Sequence, residues 1–212
     1  ITTTSTNVEL NMGDPDTLSK FISFVKTSYP ADKYMLLLAN HGNGWSRNSQ
    51  SRPSTRNICE DATSLYDSLS MKELRQAIDT GAGISQGGDK IDIVAMDACL
   101  MGMIEVAYEL KDVAKYFVAS SENVSQYGFP YTQILKGFNK ISGEIKPDIA
   151  SKIIVDEFHK AYAHGLNVEE LNIVAYDAIL AVTDLSKLQS VSDALNKLSA
   201  ELLFENINIS PT

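Results

Sequence analysis

A cysteine and a histidine at the ends of two apolar runs carry the chemistry this sequence suggests. Cys99 follows Ile91-Asp92-Ile93-Val94-Ala95-Met96-Asp97, whose β-branched residues and preceding Gly87-Gly88-Asp89 turn read as a buried strand. Just beyond it, Met103, Ile104, Ala107 and Leu110 recur at helical spacing. The pattern predicts a helix starting within about two or three residues of Asp97, with Cys99 on the joint. There, unpaired N–H groups and the positive end of the helix dipole would favour thiolate. A small buried hydrophobe is the bland alternative for a free cysteine, and the position between strand and helix argues against it.

His41 follows the second apolar run, Tyr34-Met35-Leu36-Leu37-Leu38-Ala39, and precedes Gly42-Asn43-Gly44-Trp45. His159 and His164 lie near the end of an amphipathic helix and read as solvated or capping residues. Their separation also misses the i, i+4 spacing that sets two ligands on one helix face. A His at one strand end, 58 residues ahead of a Cys at another, follows the caspase-like order, where the separation is about 50 residues. The imidazole would take the thiol proton and later protonate the leaving amine. Gly42 would let a backbone N–H approach the oxyanion without a Cβ in the way. With the Cys99 N–H it would form an oxyanion hole, in which loss of one donor costs about 10²–10³ in rate. Asp97 reads either as a cap for the next helix or as a carboxylate in a specificity pocket.

The elements that must position these groups alternate along the chain. Residues 1–13 are polar and read as a strand remnant or a tail. Asp14-Pro15-Asp16-Thr17 opens a helix with an apolar stripe of Leu18, Phe21, Ile22 and Val25, which Tyr29-Pro30 ends. Residues 46–64 form a long polar loop carrying Arg47, Arg52, Arg56 and Cys59, of a length that is usually functional or flexible. Ser70-Met71-Lys72-Glu73 is a capping box for a helix with Leu74, Ala77 and Ile78, which Gly81 closes. Tyr116–Ala119 is a third strand, leading into a loop from Ser120 to Tyr131. A helix runs from about Asp148 to Tyr162, Asn172–Tyr176 is a fourth strand, and a last helix runs from about Asp184 to Phe204. Continuous apolar strands alternating with amphipathic helices indicate an α/β sandwich with a mostly parallel sheet. In such sheets the functional crevice lies at the carboxyl ends of the strands, where His41 and Cys99 both fall.

The chain has 212 residues, 44% of them hydrophobic, and a net charge of −9. That length suits one domain. The acidic balance speaks against a nucleic-acid partner, and no apolar run approaches the roughly 20 residues of a membrane span. Its two cysteines, Cys59 and Cys99, do not suggest a disulfide framework.

His41-Gly42-Asn43-Gly44-Trp45 and Asp97-Ala98-Cys99-Leu100-Met101-Gly102-Met103, each after an apolar strand, resemble the two signature blocks of the clostripain family of cysteine peptidases. Asp14–Leu18, Tyr29–Asp32, Glu105–Leu110, Val118–Glu122 and Gly128–Tyr131 extend the likeness across most of residues 9–190. The resemblance implies a caspase-like three-layer sandwich, shared with gingipains, legumain and metacaspases, and a catalytic dyad of His41 and Cys99. It implies cleavage after Arg, and also Lys, with Asp97, and more weakly Ser120 and Glu122, in the specificity pocket. Trp45 reads equally as a cleft wall or a loop anchor. Autolysis at Arg47, Arg52 or Arg56 and secretion by, or display on, a bacterium follow from the same likeness. So does one domain over 1–212 that lacks the family's N-terminal strand–helix–strand unit and C-terminal extension. No cofactor is required, calcium enters only through the resemblance, and Glu60, Asp61 and Asp67 are too scattered to make a metal site. The rival is a catalytically silent domain of the same shape that binds basic peptides. A thiol hydrolase with its nucleophile in G-x-C-x-G and a late His does not match these flanks.

Overall fold

The computed structural model describes residues 9–45, 57–163, 166–168, 171–173 and 179–204. The order of the central sheet is β1 (Met35–Ala39), β4 (Ile91–Asp97), β5 (Ala114–Ala119) and β8 (Ala181–Asp184). The first three strands run parallel and β8 is antiparallel to β5. Successive strand side chains point to opposite faces, so a strand buried on both sides divides its residues between two cores. In β4, Val94 and Met96 join one cluster while Ile93 and Ala95 join the other. The continuous apolar runs are the sequence trace of this arrangement.

Helices cover both faces. On one lie α1 (Pro15–Ser28), α2 (Met71–Ala82), α3 (Ile104–Leu110) and the start of α6 (Leu188–Phe204), which contribute Leu18, Ile22, Leu74, Ile78, Val106, Leu110 and Leu188. On the other, α4 (Tyr131–Asn139) and α5 (Pro147–Ala163) contribute Ile134, Ile154, Phe158 and Tyr162. This is the three-layer, caspase-like α/β sandwich. The Asp14 carboxylate accepts the Asp16 N–H at the start of α1, with Pro15 in the first turn. The capping box of α2 forms as expected, Ser70 and Glu73 satisfying each other's backbone N–H groups.

Several expectations are corrected. Gly81 does not close α2, which continues to Ala82 and ends at Gly83 in the left-handed region. Gly81 is instead where α1 crosses, since a Cβ there would sit 2.6 Å from the Ser19 carbonyl oxygen. Residues 57–64 are not part of the expected polar loop: β2 (Asn57–Asp61) pairs antiparallel with β3 (Asp67–Ser70). Cys59 lies buried in β2 at φ 63°, rather than in a loop. A register shift between Ile58 and Asp61 breaks the period-two pattern that would have marked the strand. Residues 9–13 are tied to this hairpin, with Asp61 accepting the Met12 N–H and Asp67 an Asn11 amide N–H. The fourth strand of the sheet is Ala181–Asp184, whereas Leu171–Ile173, as β7, pairs with β6 (Leu166–Val168) in a separate hairpin. Asp184 caps a 3₁₀ turn, Leu185–Lys187, that precedes α6. Val174, Ala175, Tyr176, His164 and the loop arginines Arg47, Arg52 and Arg56 lie outside the described residues.

Candidate active site

Strand register brings the two chemical residues together. β1 and β4 are adjacent and parallel, with Ala39 opposite Asp97, and the Asn40 N–H donates to the Asp97 carbonyl oxygen at 3.3 Å. His41 and Cys99 each stand two residues past that pair, on strands about 4.8 Å apart. Both line a cleft of about 460 Å³ at the carboxyl end of the sheet, with Asp97, Val124, Ser125 and Gly128. His41 is exposed, and its N–H is held by the Asn40 side-chain oxygen at 2.5 Å.

The loop carrying Cys99 differs from the expected joint. α3 begins only at Ile104, with Met103 as its N-cap, so the sulfur does not sit at a helix N-terminus. Residues 98–103 instead form an open turn with Leu100 at φ 60°. The Leu100 N–H donates to the Glu122 carbonyl at 3.1 Å, and the Gly102 N–H to the Ser120 carbonyl at 2.6 Å. Those backbone demands delay the helix, although the apolar spacing reads as continuous. The polar neighbour of the sulfur is the loop after β5: the Val124 N–H donates to Cys99 Sγ at 3.3 Å. The thiol in turn faces the Val124 carbonyl oxygen at 3.8 Å, so Val124 fixes the sulfur's position from both of its backbone groups. Nothing in the sequence marks it, because the donor is backbone.

Gly42 has a further role. A Cβ on it would lie 2.7 Å from the Cys99 carbonyl oxygen and 2.9 Å from the Met101 side chain. At Gly44, φ 58°, it would meet the Leu100 carbonyl oxygen at 2.4 Å and Met103. The two glycines therefore form the seam along which the His41 and Cys99 loops close on each other. Among the described residues neither the Gly42 nor the Cys99 N–H donates to a backbone acceptor.

Asp97 lines the cleft with its Oδ2 bound by the Phe129 N–H at 2.8 Å and the Tyr131 hydroxyl at 2.6 Å. Its side chain does not cap α3, whose N-cap lies six residues further on. Ser120 and Glu122 are set apart from the cleft lining. The buried Ser120 hydroxyl accepts the Glu122 N–H and donates to the Glu122 carbonyl, and the Glu122 side chain is exposed. Both serve the turn that holds the Cys99 loop. Trp45 lines a different cavity, between α3 and α6, with Ile104, Tyr108, Leu188, Val191 and Leu195. Among the described residues no three His, Cys, Asp or Glu side chains gather as metal ligands. The Asp61 carboxylate is already taken by Thr63, Met12 and Ser64 donors.

The model of the Clostripain family matches residues 1–210. Clostripain of Hathewaya histolytica is 31% identical over 233 residues, covering 96% of this chain and 41% of that protein. Among solved structures, a secreted cysteine protease of Bacteroides thetaiotaomicron superposes with a TM-score of 0.65 at 24% identity, over 89% of this chain and 49% of that one. An inactive zymogen from Parabacteroides distasonis gives 0.65 at 24% identity, over 93% of this chain and 46% of that one. The chain thus spans about two fifths of the length of clostripain and about half of each structure. The superpositions support the same sandwich fold.

Proposed function

The chain belongs to the clostripain family of cysteine peptidases, and on that premise we propose that it is an endopeptidase cleaving after Arg, and also after Lys, with Cys99 as nucleophile and His41 as acid/base. His41 takes the thiol proton, and Cys99 Sγ attacks the scissile carbonyl carbon to form a tetrahedral oxyanion. The Cys99 and Gly42 N–H groups receive that negative charge. As the C–N bond breaks, the imidazolium gives its proton to the departing amine. Water, deprotonated by the same imidazole, then hydrolyses the thioester and frees the enzyme. Nucleophile, base and oxyanion donors all come from the chain, so the reading needs no cofactor.

The observation carrying this reading is the parallel register of β1 and β4, with His41 and Cys99 in one cleft. Asp97 in the same cleft supports the choice of substrate, since a carboxylate there favours a guanidinium or ammonium. Cutting of the chain's own polar segment after Arg47, Arg52 or Arg56 belongs to the same proposal, as does work outside a bacterial cell, both from the family likeness. Matched fluorogenic peptides ending in Arg, Lys, Asp or Asn test it, on wild type and Cys99→Ala. Turnover of the Arg and Lys peptides alone, abolished in Cys99→Ala, is expected. Preference for Asp or Asn would overturn the pocket, and full turnover by Cys99→Ala the nucleophile. An uncut chain by mass spectrometry, from enzyme that turns over the Arg peptide, would remove the autolysis.

A further inference from the structure

We propose that Tyr131 determines how the pocket grips a cation, by filling one oxygen of Asp97 so that the basic side chain is held through the other oxygen alone. The inference rests on the reading of Asp97 as the carboxylate that meets that side chain. A carboxylate oxygen offers two acceptor sites. On Oδ2 both are occupied, by the Phe129 N–H at 2.8 Å and the Tyr131 hydroxyl at 2.6 Å. Oδ1 accepts from no group among the described residues.

The clamp is itself anchored. The Tyr162 hydroxyl, on a ring that α5 buries in the core, donates to the Gly128 carbonyl at 2.6 Å. Gly128 has φ 62° and approaches so closely that a Cβ would fall 2.4 Å from Asp97 Oδ2. The segment from Gly128 to Tyr131 is therefore fixed against the carboxylate by covalent neighbours, a positive φ and a second tyrosine. Burial, and then the bond to Asp97, push the Tyr131 phenol well above its usual range. Tyr131 thus remains a donor at any working pH.

The consequence concerns arginine against lysine. A guanidinium gains most from a fork that donates one N–H to each carboxylate oxygen, whereas an ammonium acts as a point charge and needs only one. With Oδ2 filled, the fork has no second acceptor. Removing the Tyr131 hydroxyl frees one site on Oδ2 and gives arginine the contact lysine cannot use. A loss of rigidity alone would lower both substrates together.

The test is kcat/KM for matched Arg and Lys peptides on wild type, Tyr131→Phe and Asp97→Asn. The Arg:Lys ratio is expected to rise about tenfold in Tyr131→Phe, the worth of one charge-assisted hydrogen bond. A ratio unchanged or lowered would overturn the proposal and leave Tyr131 a merely structural residue. Asp97→Asn reports on the premise separately: undiminished preference for basic peptides there would remove the pocket reading and this inference with it. A second measurement needs no variant that folds. Competitive inhibition of wild type by benzamidine and by benzylamine, equal in ring and charge, is expected to agree within about threefold. Benzamidine binding more than tenfold tighter would contradict a single-oxygen grip.

Discussion

At the scale of single residues, the account turns on close approaches that admit no extra atom. Gly42 stands against the Cys99 carbonyl and Met101, so Gly42→Ala must push the two loops apart. A displacement near an ångström at reacting groups costs on the order of 10² in rate. We expect kcat/KM to fall by about that factor in Gly42→Ala, while overpacking lowers stability by about 1–3 kcal/mol; steady-state kinetics and a melting curve check both. The two cysteines differ for a related reason of environment. Burial pushes the Cys59 thiol up to about 11, whereas Cys99 opens on the cleft beside the Val124 amide. Iodoacetamide at pH 7.5, read by intact mass, is expected to add one group to the wild type and none to Cys99→Ala within the same time.

At the scale of elements, the β2–β3 hairpin is held by the buried Ile58–Leu69 pair and, at its turn, by a carboxylate. Asp61 is lowered to about 2, first by the Thr63 hydroxyl and then by the Met12, Thr63 and Ser64 N–H groups. A depressed carboxylate stabilises the folded state fully above its unfolded value of about 3.9, and that stability is lost as pH falls through about 2. Acid unfolding of Asp61→Asn should therefore depend less on pH between about 4 and 2 than that of wild type, with ellipticity against pH as the readout. The α2 capping box makes a separate expectation: Ser70→Ala should cost about 0.5–2 kcal/mol in urea unfolding. That box, the Asp14-Pro15 start of α1 and the strands β1 and β4 were legible because each is written in local residue types. The late start of α3 was not, since the carbonyls of Ser120 and Glu122, distant in sequence, hold the Cys99 loop open. The bulged β2 and the short β8 lack the length or alternation that marks a strand. Within the site, His41, Cys99 and Asp97 could be found from the sequence because they end apolar runs. Val124 and Tyr131 could not, since one acts through its backbone and the other depends on how the Gly128 turn folds back.

At the scale of the molecule, one parallel strand pair does the positioning. Layers on both faces bury β4, while the edge strand β1 buries Leu36 and Leu38 on one face; that burial fixes their register, and the register delivers an imidazole and a sulfur to one cleft. Asp97 adds a carboxylate to that cleft, in a chain of net charge −9; on the proposed reading both favour a cationic substrate. The most direct measurement is to react the protein with an irreversible peptide electrophile bearing arginine before the reactive carbonyl, and to locate the adduct by tandem mass spectrometry. The account predicts a single adduct on Cys99, formed much faster than with an aspartate counterpart and suppressed in His41→Ala. Labelling of any other residue, or equal labelling by the arginine and aspartate reagents, would contradict it.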